Sequence, residues 1–265
     1  MNRINKTALV TGASTGIGNE LSRLLAQDGY NLVIVARSEE KLKSLAVELE
    51  EKYNIFVTVI AKDLSLPDSP GEIFNETQKQ QLNISVLINN AGYGSFGEFL
   101  NLDIENEINM LQVNILALTH LTYLYAKEMV NTGGGRILNV ASMAAFLPGP
   151  LMSVYYASKA YVLHFSEALA NEFRNKRITV TTLCPGPTKT NFHERANMRE
   201  SKIVNGKRIM DAAVVASEGY LGMKAGRTLI IPGIQNKIMS FGIKFFPRGL
   251  ITNVVRNIQE TRKGK

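Results

Sequence analysis

The chain has 265 residues, of which 45% are hydrophobic and 20% are charged, a composition that fits a single α/β domain with one substantial core. Its one cysteine, Cys184, excludes an intrachain disulfide and favours a reducing compartment. The sequence contains no His/Cys cluster with metal-ligand spacing, no nucleic-acid-binding motif, no secretory signal and no bilayer-spanning apolar run, so it predicts a cytoplasmic protein without metal or nucleic acid.

Short apolar runs alternate with longer amphipathic segments from the amino end onward. The predicted strands are 7–11, 31–36, 56–61, 86–88, 136–140, 179–183 and 228–231. The predicted helices are 17–27, 39–52, a segment ending near 81, 104–130, 152–174 and 210–223. This alternation, with near-continuous apolar strands, predicts a doubly wound parallel sheet with helices on both faces (a Rossmann arrangement) in one domain over residues 1–265.

A glycine-rich turn connects the first predicted strand to the first predicted helix. Residues 11–18 read TGASTGIG, and a turn lacking Cβ atoms lets the backbone approach a pyrophosphate at a helix amino terminus. The spacing G-x-x-x-G-x-G is a variant of the common dinucleotide-binding pattern, and glycine turns also serve plain helix–strand packing. The predicted cofactor contacts here are Gly12, Ser14, Thr15, Gly16, Ile17 and Gly18.

The residue after the second strand bears on the choice of dinucleotide. An acid there would bind the adenosine ribose 2′-hydroxyl of NAD, but the chain has Arg37. Arg37 is suited to a 2′-phosphate, with help from Ser14, so we expect NADP(H) to be preferred over NAD(H). The alternative is that Arg37 is only a surface charge at a helix start.

The ends of the third and fourth strands also carry candidate cofactor contacts. Asp63 and Leu64 follow the third strand, and the Asp63 carboxylate is placed to accept from the adenine amino group, although a turn or cap aspartate is an equal alternative. The segment Asn89-Asn90-Ala91-Gly92 follows the fourth strand. Its small residues leave space for a cofactor, and its asparagines are suited to tie adjacent strand ends together.

Tyr155 and Lys159 are the residues that point most directly to chemistry. They lie one helical turn apart, so the phenol and the ammonium share a helix face. A cation beside a phenol favours the phenolate, so we expect the pKa of Tyr155 to be lowered from about 10 toward neutrality. With Ser142 upstream and a dinucleotide nearby, the pair predicts hydride transfer to or from a carbonyl.

Together these motifs resemble the short-chain dehydrogenase/reductase family. The matching residues are the turn 11–18, Asp63, Asn89 to Gly92, Asn114, Ser142, the run YYASK at 155–159, Pro185 and Gly186. The resemblance covers about residues 6–231, and the phrases NLVIVAR, GSFG and CPGPT are similar to bacterial relatives of 17β-hydroxysteroid and very-long-chain 3-oxoacyl reductases. It implies about seven strands, homodimers or homotetramers, and a catalytic tetrad of Asn114, Ser142, Tyr155 and Lys159.

The resemblance also implies roles for these residues. Tyr155 donates the proton, Ser142 binds the substrate oxygen, and Lys159 holds the nicotinamide ribose as well as the phenol. Asn114 fixes a water that links Lys159 to solvent; the alternative is a helix-interior asparagine that bonds to backbone. Pro185 and Gly186 shape the nicotinamide pocket, and Thr188 bonds the carboxamide.

The sequence therefore predicts an NADP(H)-dependent oxidoreductase whose small-molecule substrate is a hydrophobic ketone, oxoacyl or steroid-like, which it reduces, or the corresponding alcohol, which it oxidises. The alternative is a non-catalytic nucleotide sensor or scaffold with the same fold. A polar stretch at 189–202 is expected to form a lid over the substrate, with Phe192 and His193 as candidate substrate contacts.

The carboxyl-terminal segment, residues 234–265, is both basic and apolar. Seven of its residues are cationic and only Glu260 is acidic, which predicts a solvated tail or, alternatively, a contact with anionic lipid or an acidic protein such as an acyl carrier protein. Residues 234–246 read as a helix that ends at Pro247. We expect this helix to pack on the body or on a sister subunit, and the alternative is an amphipathic surface that guides an apolar substrate or contacts a membrane.

Overall fold

The computed structural model describes residues 6–190 and 209–260. Its centre is a parallel seven-stranded sheet in the order β3-β2-β1-β4-β5-β6-β7. The strands are β1 (Thr7–Thr11), β2 (Asn31–Ala36), β3 (Val57–Ala61), β4 (Ile84–Asn89), β5 (Gly135–Val140), β6 (Ile178–Leu183) and β7 (Leu229–Ile230). The predicted fold class is confirmed, and the strand bounds lie within two residues of the predicted ones.

Helices connect consecutive strands and cover both faces of the sheet, and two more helices follow β7. They are α1 (Gly16–Gln27), α2 (Glu39–Tyr53), α3 (Ser69–Lys79), α4 (Ile104–Leu111), α5 (Leu118–Asn131), α6 (Ser153–Glu172), α7 (Ala212–Lys224), α8 (Ile234–Gly242) and α9 (Arg248–Gln259). Apolar strand residues alternate between two buried clusters: Ala8 and Val10 pack with α1, α2 and α7, whereas Leu9 packs with α3 and α5. Because both sheet faces are buried, ligands are left with the edge where the strands end.

The strand order reverses beside β1, since β2 lies on one side of it and β4 on the other. In open parallel sheets this reversal opens a crevice at the carboxyl ends of the strands. The predicted motifs follow β1, β2, β3, β4, β5 and β6, so all of them reach this edge.

The long helix predicted over residues 104–130 is interrupted. A π-helical turn, Gln112–Ala117, separates α4 from α5. Apolar periodicity continues on both sides of the turn, which is why the sequence pattern did not reveal it. Such turns insert an extra residue into a helix and often occur at functional sites.

The carboxyl end differs from its prediction. The predicted helix at 234–246 is α8 followed by a 3₁₀ turn, Ile243–Phe245. The solvated-tail prediction is wrong for residues 248–259, because these form α9 with Pro247 at its N-cap. Val255 and Gln259, one turn apart, are buried, whereas Arg248 and Arg256 are exposed. The exposed charges indicated a solvated segment, although the opposite face of the helix packs on the protein.

Among the residues that the structure describes, no helix combines the length and the apolar character needed to cross a bilayer.

Candidate active site

A large cleft opens at the carboxyl edge of the sheet, with a volume of about 1700 Å³. Pockets for one drug-sized ligand usually measure about 300–1,000 Å³, so this cleft has room for a dinucleotide and a second molecule. Its wall includes these residues predicted from sequence: Gly12, Ser14, Thr15, Gly16, Ile17, Arg37, Asp63, Leu64, Asn90, Ala91, Gly92, Ser142, Tyr155, Lys159, Pro185, Gly186 and Thr188. The predicted site residues Gly18 and Asn114 lie behind the wall.

The glycine turn needs its glycines for two different reasons. Gly12 and Gly16 have left-handed backbone conformations, with φ of 67° and 61°. Gly18 is instead required by close packing, because a Cβ there would collide with the Gly12 carbonyl and the Asn90 side chain. The turn thus brings backbone to the start of α1, and the residues present fit a pyrophosphate.

Asn90, directly after β4, ties strand ends together as predicted for the asparagines here. Asn90 Nδ2 donates to the carbonyl oxygens of Thr11 at 2.9 Å and Gly12 at 3.2 Å. Thr11 Oγ1 accepts from the backbone N–H groups of Asn90 and Ala91 at 3.0 and 3.1 Å. These bonds fix the two strands that flank the crevice, so the floor of the cleft is held in place without a ligand.

At the far end of the cleft, Arg37 faces Asp63. Their closest charged atoms are 3.8 Å apart, and the Arg37 side chain is 60% exposed. Asp63 Oδ1 accepts from the backbone N–H and the hydroxyl of Ser65, at 3.0 and 2.9 Å, so this carboxylate does stabilise a turn. An exposed ion pair of this length contributes little stability, which leaves the Arg37 guanidinium available to a ligand anion.

The three groups predicted for proton transfer converge on one wall of the cleft. Ser142 begins a 3₁₀ turn after β5, and its Oγ accepts from Ala144 N–H at 3.1 Å. The Tyr155 side chain is hydrogen-bonded to Ser142. Lys159 lies one turn along α6, and its Nζ donates to the Val140 carbonyl at 2.9 Å and lies 5.9 Å from the centroid of the Tyr155 ring.

Burial shifts the pKa of both α6 residues. It raises the pKa of the Tyr155 phenol above its ordinary value, against a smaller opposing effect of the Ser142 hydrogen bond. It lowers the pKa of Lys159 to about 8. The expected lowering of the Tyr155 pKa is therefore wrong for this structure, because loss of solvation outweighs the nearby ammonium, whose hydrogen bond goes to Val140.

Asn114 sits in the π-helical turn and is fully enclosed. Its Oδ1 accepts from Tyr93 N–H at 3.2 Å, and its Nδ2 donates to the Tyr93 carbonyl and to Ser158 Oγ, both at 3.0 Å. Ser158 Oγ in turn donates to the Tyr155 carbonyl at 2.7 Å. Asn114 thus bonds to backbone, as its alternative interpretation stated, and joins the loop after β4 to α6; the water relay stays a prediction.

Gly92 lies against the side chains of Asn114 and Lys159. A Cβ at this position would be 2.9 Å from Asn114 Oδ1 and 3.2 Å from Lys159 Nζ. Gly186, on the opposite wall, packs against the Asn236 side chain of α8. The Thr188 hydroxyl donates to the Gly186 carbonyl at 2.9 Å, so its predicted carboxamide contact stays a prediction. Neither glycine therefore has room for a side chain.

One contact of the site had no signal in the sequence. Gln259, at the end of α9, donates from Nε2 to the Tyr156 hydroxyl at 2.6 Å, and both residues line the cleft. They are 103 positions apart, and Gln259 lies in the segment predicted as a tail. The hydrogen bond fastens α9 over the end of the cleft beyond Tyr155. The predicted contacts Phe192 and His193 lie outside the described residues.

The described residues contain no group of three or more His, Cys, Asp or Glu side chains arranged to hold a metal ion. The arrangement of the site is instead that of a nucleotide cleft with a buried phenol, hydroxyl and ammonium on one wall.

Comparison with known proteins agrees with this arrangement. The very-long-chain 3-oxoacyl-CoA reductase of Rattus norvegicus is 37% identical over 187 residues, which make up 69% of this chain and 59% of the relative. The 17-beta-hydroxysteroid dehydrogenase type 3 of Mus musculus is 36% identical over 198 residues, 74% of this chain and 64% of that protein. The matched region thus spans less than two thirds of the length of either relative.

Among solved structures, a short-chain dehydrogenase from Sphingobium yanoikuyae in complex with NADPH is 28% identical, with a TM-score of 0.83 over 98% of this chain and 99% of that chain. A 7beta-hydroxysteroid dehydrogenase is 25% identical, with a TM-score of 0.85 over 95% of this chain and 96% of that one. The sequence profile of the short chain dehydrogenases matches residues 6–201. The chain belongs to the short-chain dehydrogenase family of oxidoreductases, as its motifs predicted.

Proposed function

We propose that this protein uses NADPH to reduce a hydrophobic ketone. The observation that carries the proposal is the placement of Ser142, Tyr155 and Lys159 on the wall of the same cleft that Arg37 lines. One bound dinucleotide can then place its 2′-phosphate near the Arg37 guanidinium and its nicotinamide near the Tyr155 hydroxyl.

The preference for NADPH rests on the end of β2. Arg37, Ser14 and Ser38 line this part of the cleft, and the residue directly after the strand is Arg37 rather than an acid. A guanidinium and hydroxyls suit a 2′-phosphate, whereas the ribose of NAD calls for a carboxylate. The NADPH bound in the Sphingobium yanoikuyae structure supports the same choice.

The nicotinamide cofactor, when bound, supplies the hydride. The protein's task is to hold the carbonyl and deliver one proton to its oxygen. Because the pKa of Tyr155 is raised, its phenol keeps its proton at neutral pH and can donate it to the forming alkoxide. Ser142 stabilises the same oxygen through its hydroxyl, and the nearby ammonium of Lys159 stabilises the phenolate that remains.

The substrate end of the cleft is mostly apolar. Met152 and Tyr156 pack beside Tyr155, and the cleft wall also includes Leu147, Met239, Val255, Ile258 and Gln259. Apolar walls favour an extended hydrophobic ketone, and the names of the two curated relatives suggest an oxoacyl or steroid-like compound. The predicted homo-oligomer and cytoplasmic location stay predictions.

A substrate panel tests the proposal directly. Apolar ketones and the corresponding alcohols, with acyl-chain and steroid compounds among them, are assayed by nicotinamide absorbance with NADPH and NADH. We expect turnover of at least one apolar ketone with NADPH. NADPH binding without turnover of any carbonyl compound would instead support the non-catalytic sensor or scaffold.

Replacing Arg37 with serine is expected to lower kcat/KM with NADPH by about 10- to 100-fold and to leave kcat/KM with NADH nearly unchanged. The reason is the loss of a charge-assisted bond to the 2′-phosphate, which contributes about 1.5–3 kcal/mol. Lys41→Ser on the exposed side of α2 is the matched control and should change neither value. Equal losses with both cofactors would contradict recognition of the 2′-phosphate.

Replacing Gly92 with alanine is expected to lower kcat/KM about tenfold or more. The added methyl group crowds Asn114 and Lys159, which are buried and hydrogen-bonded and so cannot retreat. Gly71→Ala in α3 is the control, because its Cβ would meet open space. This control should keep full activity and gain up to about 1 kcal/mol of stability. Wild-type kcat/KM in Gly92→Ala would show that the packing is not needed.

A further inference from the structure

The helices at the carboxyl end expose an unusual number of large apolar side chains. Those between residues 234 and 258 that are between 44% and 71% exposed form what we call the C-terminal apolar surface: Ile234, Ile238, Met239, Phe241, Phe245, Phe246, Leu250, Val254 and Ile258. Single exposed apolar residues are ordinary on soluble proteins, but a cluster of this size marks a surface that binds something.

Cations are interspersed with these apolar side chains. Lys237, Lys244 and Arg248 are exposed, and no acid in the described ranges lies within ion-pair distance of them. Arg256, also on α9, pairs with Glu98 and Glu260. The C-terminal apolar surface therefore carries a net positive charge, which selects for a negatively charged partner.

The same surface is continuous with the cleft. Ile234, Met239 and Ile258 are at least 44% exposed and also line the cleft wall. The buried Val255 and Gln259 of α9 line the cleft on the inner side of that helix. Whatever covers the apolar surface thus lies at the mouth through which an apolar molecule would enter.

We propose that the C-terminal apolar surface binds the surface of an anionic bilayer, with the mouth of the cleft against the lipid. Exposed phenylalanine and aliphatic side chains would enter the headgroup boundary, and Lys237, Lys244 and Arg248 would contact anionic headgroups. A second copy of the chain fits less well, because a two-fold interface would bring these cations toward their own copies with little acid to offset them. Passage of the ketone from lipid into the cleft is the part that rests on the proposed function.

Vesicle flotation of the full-length protein tests the proposal. Phosphatidylcholine vesicles are compared with vesicles that contain about 30% phosphatidylglycerol, at low and high salt. We expect the protein to float with the anionic vesicles, to stay behind with the neutral ones, and to be released as salt rises, because headgroup attraction is screened. Absence of flotation with anionic vesicles at low salt overturns the proposal.

Matched variants locate the binding surface. Phe245→Ser should weaken vesicle binding about tenfold, whereas Phe56→Ser, a phenylalanine of similar exposure before β3, should leave it unchanged. Lys244→Glu should weaken binding about fivefold or more, and Lys41→Glu should change it much less. Circular dichroism verifies that each variant folds. Equal flotation of all variants would place the lipid contact elsewhere.

Light scattering during size-exclusion chromatography measures the oligomeric state and so tests the other candidate partner of this surface, a second copy of the chain. If Phe245→Ser dissociates an oligomer and vesicle binding of the wild type is absent, the C-terminal apolar surface joins two copies and the bilayer proposal is wrong. Neither measurement depends on turnover, so failure of the bilayer proposal leaves the proposed reductase activity standing, and absence of reductase activity leaves the bilayer result standing.

Discussion

Replacing Tyr155 with phenylalanine is expected to lower kcat by about 10²- to 10⁴-fold, the usual contribution of a positioned proton donor. The change keeps the ring, which is buried, and removes only the hydroxyl that lies beside Ser142. Affinity for NADPH should change little, because the rest of the cleft wall is untouched. Steady-state kinetics with a ketone that the wild type reduces measure kcat. Titration followed by NADPH fluorescence measures the affinity for NADPH.

The control for Tyr155→Phe is another buried tyrosine. Tyr125 lies in α5, is fully enclosed in the core between α3 and the sheet and does not line the cleft; its hydroxyl lies 3.0 Å from Thr77 Oγ1. Tyr125→Phe removes one buried hydroxyl without touching the cleft, so it should lose about 1 kcal/mol of stability and keep its kcat. Near-normal kcat in Tyr155→Phe, or equal loss in both variants, would exclude the phenol as the proton donor.

Replacing Lys159 with methionine is expected to lower kcat at least about hundredfold and, at neutral pH, to raise the free energy of unfolding. The buried ammonium has its pKa lowered to about 8 from the ordinary 10.5. The unfolded chain therefore binds more protons between these two pH values, and the folded state gains stability as pH rises through that range. Below pH 8 the full destabilisation is present, on the order of 3 kcal/mol.

Methionine removes this destabilisation but leaves the Val140 carbonyl without its donor, a loss of about 1 kcal/mol. The net gain from Lys159→Met at pH 7 should be about 2 kcal/mol and should shrink as the pH approaches 10.5, as measured by denaturant unfolding at several pH values. Lys127→Met, at an exposed site on α5, is the control and should show a stability difference that does not change with pH. A pH-independent difference for Lys159→Met would show that its ammonium is not buried.

The position of the site could be predicted from the sequence, because the motifs follow the strands and the carboxyl ends of parallel strands lie at one edge of the sheet. Apolar runs such as 31–36 became strands with the predicted bounds, and the tie from Asn90 to the turn after β1 followed from which strands are neighbours. These features depend on local pattern and on the rules of parallel sheets.

Four features of the structure were not predicted from the sequence. The raised pKa of Tyr155 reflects burial, which helical spacing to Lys159 does not report. Gln259 meets Tyr156 only because α9 folds back over the cleft, across a long separation in sequence. The π-helical turn that holds Asn114 leaves apolar periodicity intact on either side. Charge in the segment after Pro247 was interpreted as solvation, although its buried residues recur at helical spacing.

The π-helical turn at Gln112–Ala117 also makes chain length itself a requirement of the active site. Each residue of an α-helix advances the chain by about 100° around the axis, so deletion of one residue there would rotate α4 against α5 by about that angle. Either the Asn114 amide would leave Tyr93 and Ser158, or Met110 would leave the core. Single-codon deletions across this helix should therefore be lost from a functional selection in which shortened surface loops survive.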